Sequence, residues 1–182
     1  MAIQYLYHGT TKKLKIGDFL LPHSTYDGKR ENRVNAVFAT PNLKKAISFG
    51  ILRAIFTDGD FCMISGNKII IDKPSNNINT HFYVYLVDSV GFQLDTRDEY
   101  INRNNVKIIN TIVFDTITAI KEYGFEICTI PCVDKNLTIE DRAKKKKEFI
   151  KNKNFLKLDI ENLILFQRKR NNSNSGNSGH EY

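Results

Sequence analysis

Tryptophan is absent from this chain, cysteine occurs three times, proline four times and methionine twice. Three cysteines, Cys62, Cys128 and Cys132, are an odd number and too few for a disulfide framework. Cys128 and Cys132 have the separation of half a zinc site. No comparable Cys or His pair stands elsewhere to complete it, so no metal is expected. No uninterrupted apolar run approaches the roughly 18 residues that a membrane span needs, which excludes a transmembrane helix. The opening stretch Met1-Ala2-Ile3-Gln4-Tyr5 lacks the basic region, apolar stretch and cleavage site of a secretory signal, so residence in the cytoplasm without a membrane partner is expected.

What the chain does contain is enough apolar material for a core: 41% of its 182 residues are hydrophobic and 26% are charged. That balance excludes a disordered chain and suits one domain with an appendage. Lys and Arg number 27 against 20 Asp and Glu, a formal charge of +7, so the average surface field attracts anions such as nucleic acid or phosphate-bearing ligands. The excess is uneven, because Lys144 to Lys147 and Arg168-Lys169-Arg170 lie in the last fifth of the chain, where such runs usually form a solvated face. The abundance of Asn, Ile and Lys suggests an AT-rich genome, viral or bacterial.

Three regions follow from the pattern. Residues 1–135 form the body, with strand candidates Ile3–Tyr7, Asn35–Thr40, Lys68–Asp72, His81–Asp88, Val106–Phe114 and Phe125–Ile130, all rich in Ile, Val, Tyr and Phe. Its one clear helix spans 43–56, where Leu43, Ala46, Ile47, Gly50, Ile51, Ala54 and Ile55 form a stripe at helical spacing and Pro41-Asn42 supplies the start. Strands predominate, with a helix between early ones, so the fold class is α+β rather than a doubly wound parallel sheet. Residues 136–168 read as a Lys-rich helical extension that starts at the capping pattern Thr138-Ile-Glu-Asp141 and carries Phe149, Ile150 and Phe155 on one side. Residues 169–182 include Asn-Asn-Ser-Asn-Ser-Gly-Asn-Ser-Gly, too polar to offset chain entropy, and are expected to be a flexible tail.

Three segments carry possible chemistry. In Tyr7-His8-Gly9-Thr10 a histidine ends a β-rich run; the imidazole can bond a hydroxyl, and the glycine lets backbone groups approach a flat ligand closely. A turn glycine beside an ordinary histidine is the plainer explanation of those residues alone. In Val37-Phe38-Ala39-Thr40-Pro41 a strand runs into the helix that carries Phe49. That ring lies off the main apolar stripe and is free to face a cleft beside Phe38, although two core phenylalanines would look the same. In Asp98-Glu99-Tyr100-Ile101-Asn102 a carboxylate pair precedes a strand-like run, and a carboxylate fixed there can accept a bond from a ribose hydroxyl and stabilise positive charge on the neighbouring carbon.

In this order and spacing the three segments resemble the ADP-ribosyltransferase superfamily, with its His–Tyr–Glu type signature as in poly(ADP-ribose) polymerases. The likeness is closest in size and style to the small rifampin ADP-ribosyltransferases, through Tyr7-His8-Gly9-Thr10, Leu14-Lys15-Ile16-Gly17-Asp18 and Val37 to Gly50, and covers roughly residues 5–115. The resemblance implies split antiparallel β-sheets with flanking helices, and a mono-ADP-ribosyltransferase that uses NAD as co-substrate without a metal. His8 would hold a ribose hydroxyl of NAD, the Gly9 backbone would pair with the nicotinamide carboxamide, and Phe38 and Phe49 would sandwich the nicotinamide ring. Thr10 belongs to the same cofactor-binding stretch. Arg33, with Arg30, could meet the phosphates, although a solvent-facing loop explains both arginines equally well. Glu99, with His8, would form the catalytic pair, Glu99 bonding the nicotinamide-ribose 2′-hydroxyl; alignment with the rifampin-modifying branch would instead put Asp95 in the acid's role. Phe38 stands where the family usually has tyrosine, which keeps the stacking face and loses the hydroxyl.

The implied reaction is dissociative: the nicotinamide–ribose bond lengthens and Glu99 stabilises the charge that builds on the sugar. Water as acceptor gives NAD hydrolysis, and a protein, nucleic acid or small molecule gives transfer. Two alternatives stand beside this. One is an RNA 2′-phosphotransferase, which shares His-Gly-Thr but needs arginines around the phosphate, with only Arg33 and Arg53 near. The other is a binding module that has lost catalysis and recognises a nucleotide or nucleic acid through its cleft or its Lys-rich helix.

Overall fold

The computed structural model describes residues 4–25, 34–56, 62–75, 77–96, 98–130, 138–153, 155–162 and 164. In chain order the elements are β1 (Tyr5–Thr10), β2 (Phe19–Leu20), β3 (His23–Thr25), β4 (Val34–Ala39), α1 (Leu43–Ile55), β5 (Cys62–Ser65), β6 (Lys68–Ile71) and β7 (His81–Asp88). There follow β8 (Gln93–Thr96), β9 (Glu99–Asn102), β10 (Val106–Asp115), α2 (Thr116–Glu122), β11 (Glu126–Thr129), α3 (Ile139–Lys151) and β12 (Leu156–Lys157). The strands form three four-stranded sheets, ordered β1-β7-β10-β2, β3-β4-β9-β8 and β12-β11-β6-β5. Each pairing is antiparallel except that of β6 with β11. The fold is therefore mixed α+β, mostly antiparallel, with few helices.

Sheet β1-β7-β10-β2 is covered on both sides, and the alternation of β7 shows why. Phe82 and Val84 enter a core with Ile47, Ile51 and Ile55 of α1, Ile69 and Ile71 of β6, and Ile127 of β11. Tyr85 and Val87 point the other way, into a second core with Leu6, Leu20, Val37, Ala39, Val106 and Ile108. Ile47, Ile51 and Ile55 are all 0% exposed, and each such side chain contributes roughly 1.5–3 kcal/mol of burial. Ile160 and Ile164, from the segment after α3, reach the first core, while Phe149 and Phe155 pack on Ile70, Cys128 and Ile130 in a third.

Two glycines let α1 lie close to the first sheet. A Cβ on Gly9 would meet the Ala46 carbonyl oxygen at 2.0 Å, and one on Gly50 would meet the Phe82 ring at 2.2 Å. Asn42 caps the helix by accepting from the Lys45 N–H at 3.1 Å, as the Pro41-Asn42 start predicts. Thr138 likewise caps α3 by accepting from the Asp141 N–H at 3.1 Å.

The structure departs from the sequence reading in a few elements. The first strand runs Tyr5–Thr10 rather than Ile3–Tyr7, so His8 and Gly9 sit inside it instead of at its end, because pairing with β7 continues to Tyr83. The expected β10 extends to Asp115, after which α2 starts, unforeseen because Thr116-Ile-Thr-Ala-Ile looks like more strand. Asp115 makes the switch by accepting from the Thr118 N–H and hydroxyl, both at 2.8 Å. β2, β3, β5 and β8, two to four residues long, are too short to show a period. The C-terminal tail, Cys132, Arg30 and Arg33 lie outside the described residues.

Candidate active site

The site is built where two sheets meet. Tyr7 and Thr40 form an isolated bridge, with Tyr7 N–H donating to Thr40 C=O at 2.7 Å and Thr40 N–H to Tyr7 C=O at 3.0 Å. This joins the outer edge of β1 to the end of β4. Since backbone groups alternate sides along an antiparallel strand, the Gly9 N–H and C=O face that same outer edge. No hydrogen bond within the protein engages either group among the described residues. Gly9 thus presents a donor and an acceptor side by side, the complement of a primary carboxamide. The glycine itself has a second cause, the approach of α1, which the sequence did not disclose.

His8 is tied to the second segment. Its Nδ1 lies 2.6 Å from the Phe38 carbonyl oxygen. A carbonyl only accepts, so Nδ1 carries the proton and Nε2 keeps a lone pair. The residue retains some solvent contact, yet protein encloses the ring. Its pKa falls from 6.5 to about 4, chiefly through desolvation, against the opposing hydrogen bond to Phe38 and with help from His23 and the Arg53 charge. At neutral pH His8 is an uncharged acceptor, suited to a hydroxyl.

Register decides which side chains share a face. Phe38 stands opposite Ile101 and Ala39 opposite Tyr100; continuing that register sets Thr40 opposite Glu99. Opposed residues point to the same side, so Phe38 and Glu99 are diagonal neighbours on one face of the β4–β9 pair. His23, opposite Ala36 on β3, shares that face, and its ring meets Phe38 edge-on at 6.1 Å and 60°. Desolvation and the Arg53 charge lower the His23 pKa, against a hydrogen bond to Leu21.

The carboxylates are held by a residue that sequence reasoning did not single out. Lys45 Nζ lies 2.6 Å from Asp98 Oδ1 and 3.0 Å from Glu99 Oε1. Burial alone would lower the lysine's pKa, but the two carboxylates together outweigh it and raise it. Among the described residues, Glu99 Oε2 has only a long bond from the Thr96 hydroxyl at 3.4 Å. Asp95 is the bulged residue of β8, between Leu94 paired to Tyr100 and Thr96 paired to Glu99. Lys45, Phe49 and Arg53 follow one another at i, i+4 and i+8, a single stripe of α1. That spacing was the available signal for Lys45 and Arg53, since Phe49 had already marked the face.

Of the expected residues, His8, Gly9 and Phe38 are joined directly, and Glu99 shares the face of Phe38 and is tied to α1. Thr10 closes β1, its hydroxyl accepting from the Lys12 N–H at 3.2 Å. Phe38 and Phe49 are both partly exposed, with no ring contact between the two. A cavity of about 710 Å³ lies elsewhere, between α2, β11 and residues 157–161, and none of the expected site residues lines it. Among the described residues no three His, Cys, Asp or Glu side chains gather into a metal-binding group, and no helix is long and apolar enough to cross a membrane. Comparison of the chain with protein-family models and with curated proteins finds no match.

Proposed function

We propose that this protein is an NAD-dependent mono-ADP-ribosyltransferase with an ADP-ribosyltransferase-like split-sheet fold. The observation that supports it most is convergence. Three segments far apart in sequence meet at the junction of β1, β4, α1 and β9, through the His8–Phe38 bond and the Lys45 ties to Asp98 and Glu99. NAD supplies a glycosidic bond whose leaving group is already a cationic pyridinium, so the protein has mainly to bind, orient and stabilise charge. Gly9 offers its amide and carbonyl to the carboxamide, Phe38 and Phe49 offer ring faces, and His8 Nε2 accepts from a ribose hydroxyl. Glu99 Oε2 accepts from the ribose hydroxyl beside the reacting carbon, while Lys45 fixes Oε1. The carboxylate then opposes the positive charge that develops on the sugar as the bond lengthens.

The test is turnover of labelled NAD by the full chain. Glu99→Gln is expected to lower it by roughly 10²–10³-fold while NAD affinity and folding stay close to the parent. Equal turnover by variant and parent would refute the assignment of the acid. A second reading, a nucleotide-binding module without transfer, draws on Phe38, which has the stacking ring but no hydroxyl; it requires a parent that binds NAD and leaves it intact.

A further inference from the structure

The chain between β1 and β2 is pinned at nearly every step. The Tyr85 hydroxyl, from the β7 residue opposite His8, donates to the Lys12 carbonyl at 2.8 Å and accepts from the Leu14 N–H at 2.7 Å. The Lys15 N–H donates to Asp18 Oδ2 at 2.8 Å, the Asp18 N–H returns to the Lys15 carbonyl at 3.0 Å, and the Gly17 N–H donates to the Ile108 carbonyl at 3.0 Å. The result is a fixed loop that begins two residues after Gly9.

That loop exposes Lys12, Lys13 and Lys15, and none of the three is paired with an acid among the described residues. Exposed Lys107 adds a fourth cation across the ladder from Phe19, whose ring is 50% exposed, and Leu21 beyond it is 55% exposed. Leu20 points into the second core with Tyr85 and Leu14, so Phe19 and Lys107 face the other side of the β2 edge. Fixed cations on one side of that edge and an exposed aromatic on the other suit a flexible chain that passes round it and alternates phosphates with flat bases, because every base has a face to stack. An acidic peptide would satisfy the lysines and leave Phe19 without a partner.

Resting on the transferase reading, we propose that the acceptor is single-stranded nucleic acid, tracked through its phosphates by Lys12, Lys13 and Lys15 and stacked on Phe19. In the transfer an O–H or N–H group of the nucleic acid bonds the ribose C1′. The nicotinamide–C1′ bond breaks with its electron pair leaving on neutral nicotinamide, and the acceptor's proton passes through the Glu99 carboxylate to water.

The test measures anisotropy of a fluorescent single-stranded oligonucleotide without NAD, then transfer of labelled ADP-ribose to it in the presence of lysate protein. Three phosphate contacts give a slope of about −2 in log affinity against log salt, so a fourfold rise in salt weakens binding roughly sixteenfold. The combined variant Lys12→Ser, Lys13→Ser and Lys15→Ser, unchanged in circular dichroism and in NAD hydrolysis without acceptor, is expected to lose about tenfold or more in affinity and most of that slope. Phe19→Ala is expected to weaken binding several-fold with the slope retained. Label on the oligonucleotide supports the proposal. Unchanged binding by the triple variant overturns it, as does label on protein alone. A parent that binds the oligonucleotide through these lysines but never consumes NAD refutes the transferase reading and with it the acceptor role, while the binding surface stands.

Discussion

Two regions of the molecule differ in kind. The cavity between α2, β11 and residues 157–161 holds about 710 Å³, and its walls, Ile117, Ile120, Phe125, Ile127, Leu158 and Ile160, belong to the first core or pack against it. Two of its charges, Lys121 and Glu161, pair with each other. The junction of β1, β4, α1 and β9 carries directed chemistry: an outward amide and carbonyl on Gly9, a neutral imidazole and a carboxylate fixed by a lysine. Recognition of a polar ligand depends on the second property. Free volume at a seam between packed elements carries no such information.

The largest effect is expected at Gly9. Gly9→Val forces a side chain into the Ala46 carbonyl, which a Cβ would meet at 2.0 Å, and is expected to cost about 3 kcal/mol or more in urea unfolding because α1 must move as a body. A stable variant with α1 unmoved would show that the strand–helix approach is looser than described.

Acid gives the next largest effect, at His8. The folded pKa of His8, about 4, lies below the unfolded value of 6.5, so the unfolded chain binds more protons between the two. This contribution is complete above pH 6.5, falls as pH drops toward 4 and is gone below, amounting to about 3 kcal/mol. Unfolding free energies from pH 7 to pH 4 are expected to fall more steeply for the parent than for His8→Phe; parallel curves would contradict a buried neutral imidazole.

The smallest effects separate the two regions by charge. Lys45→Met is expected to lower kcat for NAD roughly ten- to a hundredfold with little change in KM, because Glu99 loses the cation that fixes Oε1. Lys121→Met, which removes the ion pair at the cavity, is expected to change kcat less than about twofold, since surface pairs of this kind contribute roughly 0–1 kcal/mol. Steady-state kinetics decides both. Similar losses in the two variants would erase the distinction between the regions.

The sequence was readable where a period or a cap was long enough to register. The apolar stripe of α1 and its Asn42 start appear as expected, and β7 matches His81–Asp88 to the residue, because both elements run eight residues or more under strong burial. β8 was not readable, with four residues and a bulge at Asp95, nor was α2, whose β-branched residues imitate strand until Asp115 caps it. In the candidate site the short motifs marked His8, Gly9, Phe38 and Glu99. Lys45 escaped because its role depends on β9 lying across the start of α1, a contact between residues more than fifty positions apart. The freedom of Gly9 to meet a ligand is legible in the motif, whereas the close contact with Ala46 is tertiary and leaves no local trace.

The claim that the β1 edge, α1 and Glu99 form one NAD cleft is tested most directly by titrating NAD into the isotope-labelled protein and following backbone amide resonances. The account predicts that Gly9, Phe38, Phe49 and Glu99 shift together along one saturation curve while Gly124 and Lys157, at the cavity, stay still. Shifts confined to the cavity residues, or a Gly9 amide unmoved at saturation, would contradict it.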